Sequence, residues 1–234
     1  VTTAGRAGIA GPPVSWALFD LDGCLLDSSR AIPAAINVGL EAVAVPRRPA
    51  MDLQWCIGPP LAASFASILA EHGRHGDDHV ATAVRAYRAA YPDIAVAVTT
   101  VVPGVLDVLA GAGQRRAIVT SKPAAQARPL AAAMGLLDHV EEVFGPSLDL
   151  AVEPKEATLG RALGVLGIRD PATAVMVGDR HHDVDAGRAR GTATVGVTWG
   201  AGDRGELEAA RADHVVGLPA DLAEVLARMG TRAD

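Results

Sequence analysis

The chain has 234 residues, half of them hydrophobic and 21% charged, which is long enough for one α/β core with a modest second unit. Its net charge of -6 excludes a general basic field for nucleic acid or an anionic membrane, and aromatics at 3% leave a core of aliphatic packing. Two cysteines, Cys24 and Cys56, without metal-type spacing fit a reducing, cytoplasmic compartment better than a disulfide framework.

Residues 1–13 mix small residues, glycine and proline without the continuous apolar region of a signal peptide, so a flexible N-terminus is expected. No later run approaches the length of a membrane span. Residues 14–20, VSWALFD, are a short apolar run that ends abruptly in Asp-Leu-Asp-Gly, the pattern of a buried parallel strand running into a turn. From 28 to about 91 the sequence is alanine-rich with a helical period, broken at 45–49 and 57–60 and without a strand pattern, which predicts a helical insert over 28–99. After Val102-Pro103-Gly104, residues 105–112 predict a helix and RRAIVT a strand ending at Thr120. Later strand candidates at 142–144, 173–177, 194–197 and 214–216 alternate with helices. Such alternation predicts a mainly parallel sheet with helices on both faces and a ligand site at the carboxyl ends of its strands. An insert after the first strand stands above that site and can act as a lid.

Asp20 and Asp22 leave the first strand in FDLDGCLLDSS. Two carboxylates this close suit a divalent cation, and a carboxylate can also attack phosphorus to give an acyl phosphate. A calcium loop of the helix-loop-helix kind would want Asp or Asn where Cys24 stands, and a plain acidic turn leaves the hydrophobic strand before it unexplained. VMVGDRHHDVDAG sets Asp179 and Asp183 after another strand, where two acidic strand ends of one parallel sheet can face each other. Taken alone, Asp179 as a helix cap and Asp183 as a solvated residue explain that segment equally well. In IVTSKP, Thr120 and Ser121 stand at a strand end, where a hydroxyl and the N–H groups of a following helix can hold phosphate oxygens. Lys155, in VEPKEATLGRAL, puts a positive charge at a helix start that can offset a phosphoryl group and the carboxylates. Separately, Thr120 also reads as a cap and Lys155 as a solvated surface residue.

In order the chain reads DxD, Thr, Lys, GDxxxD, which resembles the four motifs of the haloacid dehalogenase superfamily over nearly all of residues 14–225. FDLDGCLLDSS, IGPPL at 57–61, IVTSKP, the Lys155 segment, MVGDRHHDV and GVTWGAGDRGELEAARADHVV are similar to its phosphoglycolate phosphatase and 5′-nucleotidase-like branch. The resemblance implies a Rossmann-like α/β core over 14–27 and 100–234 with an inserted α-helical cap domain over 28–99. It implies a Mg²⁺-dependent phosphatase acting on a small phosphomonoester of the phosphoglycolate or nucleoside monophosphate class. By the same resemblance Asp20 is the nucleophile, while Asp22 protonates the leaving oxygen and later activates water. Mg²⁺ is then held by Asp20, the backbone carbonyl of Asp22 and Asp179, with Asp183 as an additional or water-mediated ligand. Thr120, Lys155 and the backbone N–H groups around Leu21 and Ser121 hold the phosphate oxygens. Dehalogenating relatives lack an acid at the position of Asp22 and phosphonate-cleaving ones carry a small residue, so Asp22 favours a phosphate ester, whose leaving alkoxide needs a proton. The cap is expected to close over the substrate with Gly58-Pro59-Pro60 nearest it, unless that turn is merely a helix breaker. The family's usual aromatic-Pro-Gly entry into the core reads Val102-Pro103-Gly104 here.

Two alternatives stand beside this reading. β-Phosphoglucomutase-like relatives share the two aspartates, which allows a phosphosugar mutase, and a phosphate-ligand binding protein without turnover would keep the same fold. Intact Asp20, Asp22, Thr120, Lys155 and Asp179 argue against the second. The expected partner is a small phosphorylated metabolite, with no nucleic acid and no membrane, and both monomer and homodimer remain open. Gly200, Gly202 and Gly205 match G-x-G-x-x-G, but too little chain follows for a dinucleotide-binding unit. His72, His75 and His79 read as a solvated cap loop in place of a zinc site. His181 and His182 are expected to shape the metal loop, Arg180 to pair with a nearby carboxylate, and Asp27 with Ser28 to start the first cap helix.

Overall fold

Short apolar runs that are buried on both faces of one sheet set the architecture. The computed structural model describes residues 12–74, 76–111, 113–148 and 153–230; His75, Ala112 and residues 1–11 of the N-terminal segment lie outside them. The chain opens with β1 (Trp16–Phe19), turns through Asp20 to Gly23, and forms the short β2 (Leu26–Asp27). Helices α1 (Ala31–Ala42), α2 (Leu61–Glu71) and α3 (Asp77–Val98) follow, with a 3-10 segment at Ala50–Cys56. Then come β3 (Thr100–Val101), α4 (Val105–Ala110), β4 (Arg115–Val119), α5 (Ala124–Ala133) and β5 (Val143–Phe144). The chain continues with α6 (Lys155–Val165), β6 (Ala174–Gly178), α7 (His181–Arg190), β7 (Ala193–Val197), α8 (Arg204–Ala209), β8 (His214–Val216) and α9 (Pro219–Gly230).

The main sheet has the order β5-β4-β1-β6-β7-β8 with every pair parallel. Period-two alternation divides each central strand between two cores. Ala17, Phe19, Ile118, Val175 and Val177 face one, while Trp16, Leu18, Ala117, Val119 and Met176 face the other with Leu159 and Leu163 of α6. The chain moves outward from β1 to β4 and β5, then crosses back to β6 on the opposite side. The carboxyl end of β1 is therefore the switch point, where loops part and leave a crevice.

Helices α1 to α3 stand between β2 and β3, which pair antiparallel through Leu26 with Val101 and Asp27 with Thr100. Two-residue strands of this kind have no signature in the sequence. The sequence pattern ends the insert's helical run near Tyr91, yet α3 continues through Pro92 to Val98. Proline removes one helical N–H bond, and buried Tyr87, Tyr91 and Ala95 hold the turns on either side of it. The start of α1 also differs from expectation. Its N-cap is Arg30, while Asp27 accepts from the Ser29 N–H and the Ser28 hydroxyl turns away to Asp22.

Candidate active site

Three strand ends deliver the expected residues to one crevice. The turn after β1 carries Asp20 and Asp22, the loop after β4 carries Thr120, Ser121 and Lys122, and the loop after β6 carries Asp179. Lys155 arrives from the first turn of α6 and Asp183 from that of α7. Asp20, Asp22, Thr120, Lys155, Asp179 and Asp183 are all buried, which sets aside a solvated role for Lys155 or Asp183. Leu21 is buried between the two aspartates of the turn.

Lys155 is the counter-charge at the centre. Its ammonium lies 2.6 Å from Asp20 Oδ1 and also pairs with Asp183 Oδ1. Burial alone would lower its pKa, but Asp183 and Asp20 raise it above the usual lysine value. Asp183 has a second task, since its Oδ2 accepts from the Arg180 N–H at 3.0 Å and so caps α7, the role that the sequence allows for Asp179. Asp179 instead accepts from the Ala201 N–H at 2.7 Å.

One ligand oxygen from each of Asp20, Asp179 and Asp183 lies within 4.8 Å of the others. Oδ1 of Asp179 is buried without a hydrogen-bond partner, and Oδ1 of Asp20 and of Asp183 face Lys155 as ion pairs. Burial pushes the Asp20 carboxyl up to about 6, with Asp183 and Asp22 adding to the rise and Lys155 opposing it. Burial first, then Asp183 and Asp20, raise Asp179 well above the carboxylate range. Three carboxylates against one ammonium leave an excess of negative charge with unsatisfied oxygens. An oxygen-only cluster of this kind fits a hard divalent cation.

Glycines allow this crowding. A Cβ at Gly200 would overlap the Asp179 carboxylate, and one at Gly202 its backbone carbonyl. The G-x-G-x-x-G match thus marks close approach of a loop to Asp179, with Trp199 Nε1 donating to the Cys24 carbonyl at 3.0 Å alongside. Cys24 and Cys56 are buried free thiols, and burial raises both.

A cavity of about 540 Å³ opens above the carboxylates, between the insert and the sheet. Asp20, Asp22, Thr120 and Ser121 line its floor, and Gly58-Pro59-Pro60 lines a wall together with apolar residues such as Val80 and Val84 of α3. The Thr120 hydroxyl accepts from the Lys122 N–H at 3.1 Å, so a local turn bond coexists with its place in the cavity. Arg180 donates to Glu206 at 2.8 Å, as its expected carboxylate partner, and to the Ile57 carbonyl at 2.7 Å, which ties the loop after β6 to the insert. Glu206 also accepts from the His181 N–H and contacts its ring. Although burial opposes it, these bonds hold the Glu206 carboxyl down to about 2. His72 lies beside Arg48 on the insert, away from these groups.

Several contributors escape sequence reasoning. Lys122 pairs with Asp22 at 2.8 Å, Ser28 bonds the other Asp22 oxygen, and Tyr91 reaches Lys122 from α3. Lys122 stands inside the IVTSKP segment and was detectable there as a second cation at a strand end. Tyr91 and Ser28 carry no such signal. Among the described residues no helix is long and apolar enough to cross a membrane.

Residues 17–197 match the family model described as haloacid dehalogenase-like hydrolase. "Probable phosphatase IndB" of Dickeya dadantii (strain 3937) is 35% identical over 204 residues, covering 85% of this chain and 87% of the relative. "Tyrosine-protein kinase PtkA" of Mycobacterium tuberculosis is 36% identical over 202 residues, covering 84% of this chain and 66% of the relative. The crystal structure of a predicted phosphatase from Clostridium acetobutylicum superposes with a TM-score of 0.85 at 26% identity, covering 92% of this chain and 99% of that one.

Proposed function

The chain belongs to the haloacid dehalogenase-like hydrolase family, and from that premise we propose that it is a Mg²⁺-dependent phosphatase that hydrolyses a small phosphomonoester through an aspartyl-phosphate, an acyl phosphate formed on Asp20. The observation that carries the reading is the buried cluster of Asp20, Asp179 and Asp183 around Lys155, set beneath a cavity large enough for a small organic leaving group. Phosphoglycolate and nucleoside monophosphates are the substrate classes proposed.

In the first step a carboxylate oxygen of Asp20 bonds to phosphorus while the bond to the ester oxygen breaks, and Asp22 gives that oxygen its proton. In the second, water attacks phosphorus, Asp22 takes the water's proton, and the bond to Asp20 breaks to release phosphate. Asp20, Asp179, Asp183 and the Asp22 carbonyl would hold Mg²⁺, which when bound offsets the repulsion between a carboxylate nucleophile and an anionic phosphate. Lys155, Thr120 and the N–H groups near Leu21 and Ser121 bind the remaining phosphate oxygens, where charge is spread in the transition state. Insert residues around Gly58 face the leaving group and help to exclude water. Two free cysteines support a reducing, cytoplasmic setting.

Likeness to a protein named tyrosine-protein kinase favours a second reading, in which the phosphoryl group passes from Asp20 to an acceptor hydroxyl. Phosphate release from phosphoglycolate, nucleoside monophosphates and sugar phosphates, with Mg²⁺ and with EDTA, tests both. Metal-dependent release that is lost in Asp20→Asn is the expected result. Equal release by that variant sinks the nucleophile assignment, and phosphate appearing on an added alcohol but not in solution favours the second reading.

A further inference from the structure

Both oxygens of Asp22 are held. Ser28 Oγ donates to Oδ1 at 2.5 Å, and Lys122 Nζ lies 2.8 Å from Oδ2. Lys122 is gripped in turn from the insert, where it donates to Tyr91 Oη at 2.7 Å and lies 4.1 Å from the centre of that ring. All four side chains are buried. The chain has only two tyrosines, and both are here. Tyr87 stacks on Tyr91 with centroids 5.1 Å apart and planes at 15°, and Phe65 of α2 meets Tyr87 edge-on at 6.3 Å. A row of three aromatics thus crosses the insert and ends on the lysine paired with Asp22.

We propose that Lys122 and Tyr91 are positioning residues that fix the Asp22 carboxyl for proton transfer at the leaving oxygen, so that α3 sets the aim of the acid from across the cavity. The inference rests on the reading of Asp22 as the group that serves that oxygen. Proton transfer needs the two heavy atoms within about 2.6–3.2 Å, and a misplacement of about 1 Å costs on the order of 100-fold in rate. Each bond to a carboxyl oxygen narrows the orientations open to the group. Ser28, just beyond β2, holds one, whereas the hold on the other comes from Lys122, which Tyr91 grips in turn. A buried ion pair that only supports the fold would affect every substrate alike. A pair that aims the acid affects the step in which the ester oxygen departs with the Asp22 proton, and matters least when that oxygen leaves as a stable anion.

The test is single-turnover release of the leaving group with Mg²⁺ and enzyme in excess, from the fastest alkyl phosphate of the substrate panel and from p-nitrophenyl phosphate. Asp22→Asn should lower the alkyl-to-aryl rate ratio on the order of 100-fold, the low end of general acid catalysis. Tyr91→Phe, which keeps the stack and removes one hydroxyl, should lower it about 10-fold, as expected for a lost hydrogen bond to a charged group. Lys122→Met should approach the Asp22→Asn ratio, and Lys122→Arg should recover part of it. An unchanged ratio in Tyr91→Phe and Lys122→Met, beside a lowered one in Asp22→Asn, overturns this inference alone. An unchanged ratio in Asp22→Asn overturns the reading of Asp22 and this inference with it.

Discussion

Without a divalent cation, the folded protein should lose stability as the pH rises, and Asp20 sets the scale of that loss. Its carboxyl, which ordinarily titrates near 3.8, is pushed up to about 6 by burial first and by Asp183 and Asp22 after it, with Lys155 opposing. An acid whose folded pKa lies above its unfolded one contributes stability below the unfolded value and loses it as the pH climbs through the folded one. At about 1.4 kcal/mol for each tenfold change in proton affinity, the Asp20 contribution is about 3 kcal/mol, of which about 2 is lost between about pH 4.5 and 7. Asp179 shifts in the same direction and steepens the fall. Glu206 runs the other way, because its carboxyl is held down to about 2 from 4.5 and its contribution is lost only as the pH drops below that upper value. His182, lowered from 6.5 by burial first and then by His181 and Arg180, adds stability as the pH rises and so blunts the raw profile. Urea unfolding of wild type and Asp20→Asn in EDTA isolates the Asp20 part as the difference between two curves. Saturating Mg²⁺ should flatten that difference, since it stabilises the folded state with its carboxylates ionised. Parallel pH profiles for the two proteins in EDTA would refute the argument.

Three further outcomes follow from particular contacts. Gly200→Ala places a methyl group on the Asp179 carboxylate and should weaken Mg²⁺ binding by about 10- to 100-fold in calorimetric titration; an unchanged isotherm would show that the loop yields without moving Asp179. Lys155→Met leaves Asp20 and Asp183 without their counter-charge and should cost the EDTA-treated protein about 3–5 kcal/mol, read as a lower urea midpoint at unchanged slope. Phe19→Ala empties a fully buried position on β1, the central strand, and should cost about 3–5 kcal/mol by the same measurement.

The sheet and its acidic strand ends are legible because they follow local rules. VSWALFD and ATAVMVGD are runs too short for a helix, buried on both faces, and each stops at an aspartate. Strand limits differ from the sequence reading by a residue or two, as at β7, which starts at Ala193. The gathering of Asp20, Lys155, Asp179 and Asp183 at one point needs the strand order, which no local pattern contains. Lys122 and Tyr91 are hidden for the same reason, since their bond joins residues 31 apart across the cavity. A tyrosine among alanines at helical spacing reads as core, and Tyr91 is core until its hydroxyl is followed to Lys122. Gly200 and Gly202 show a subtler limit. The pattern reports that a backbone must come close to something, and only the fold reveals that the something is Asp179.

The insert touches the carboxylates through two links of different chemistry, and this bears on how the site is assembled. On one side Arg180 donates to the Ile57 carbonyl next to Gly58, which ties the insert to the loop that carries Asp179 and to Asp183, the cap of α7. On the other side Tyr91 holds Lys122, which holds Asp22. The first link is a hydrogen bond to a backbone carbonyl at a partly buried arginine, and it depends little on which side chains occupy the insert. The second is a buried chain of hydroxyl, ammonium and carboxylate, and it depends on one tyrosine and one lysine. The link toward the cation cluster thus ends on insert backbone, whereas the link toward the acid ends on insert side chains. Substitutions on α3 can therefore alter proton transfer while leaving the Asp20, Asp179 and Asp183 cluster as it is, which separates leaving-group chemistry from cation binding within one small cavity.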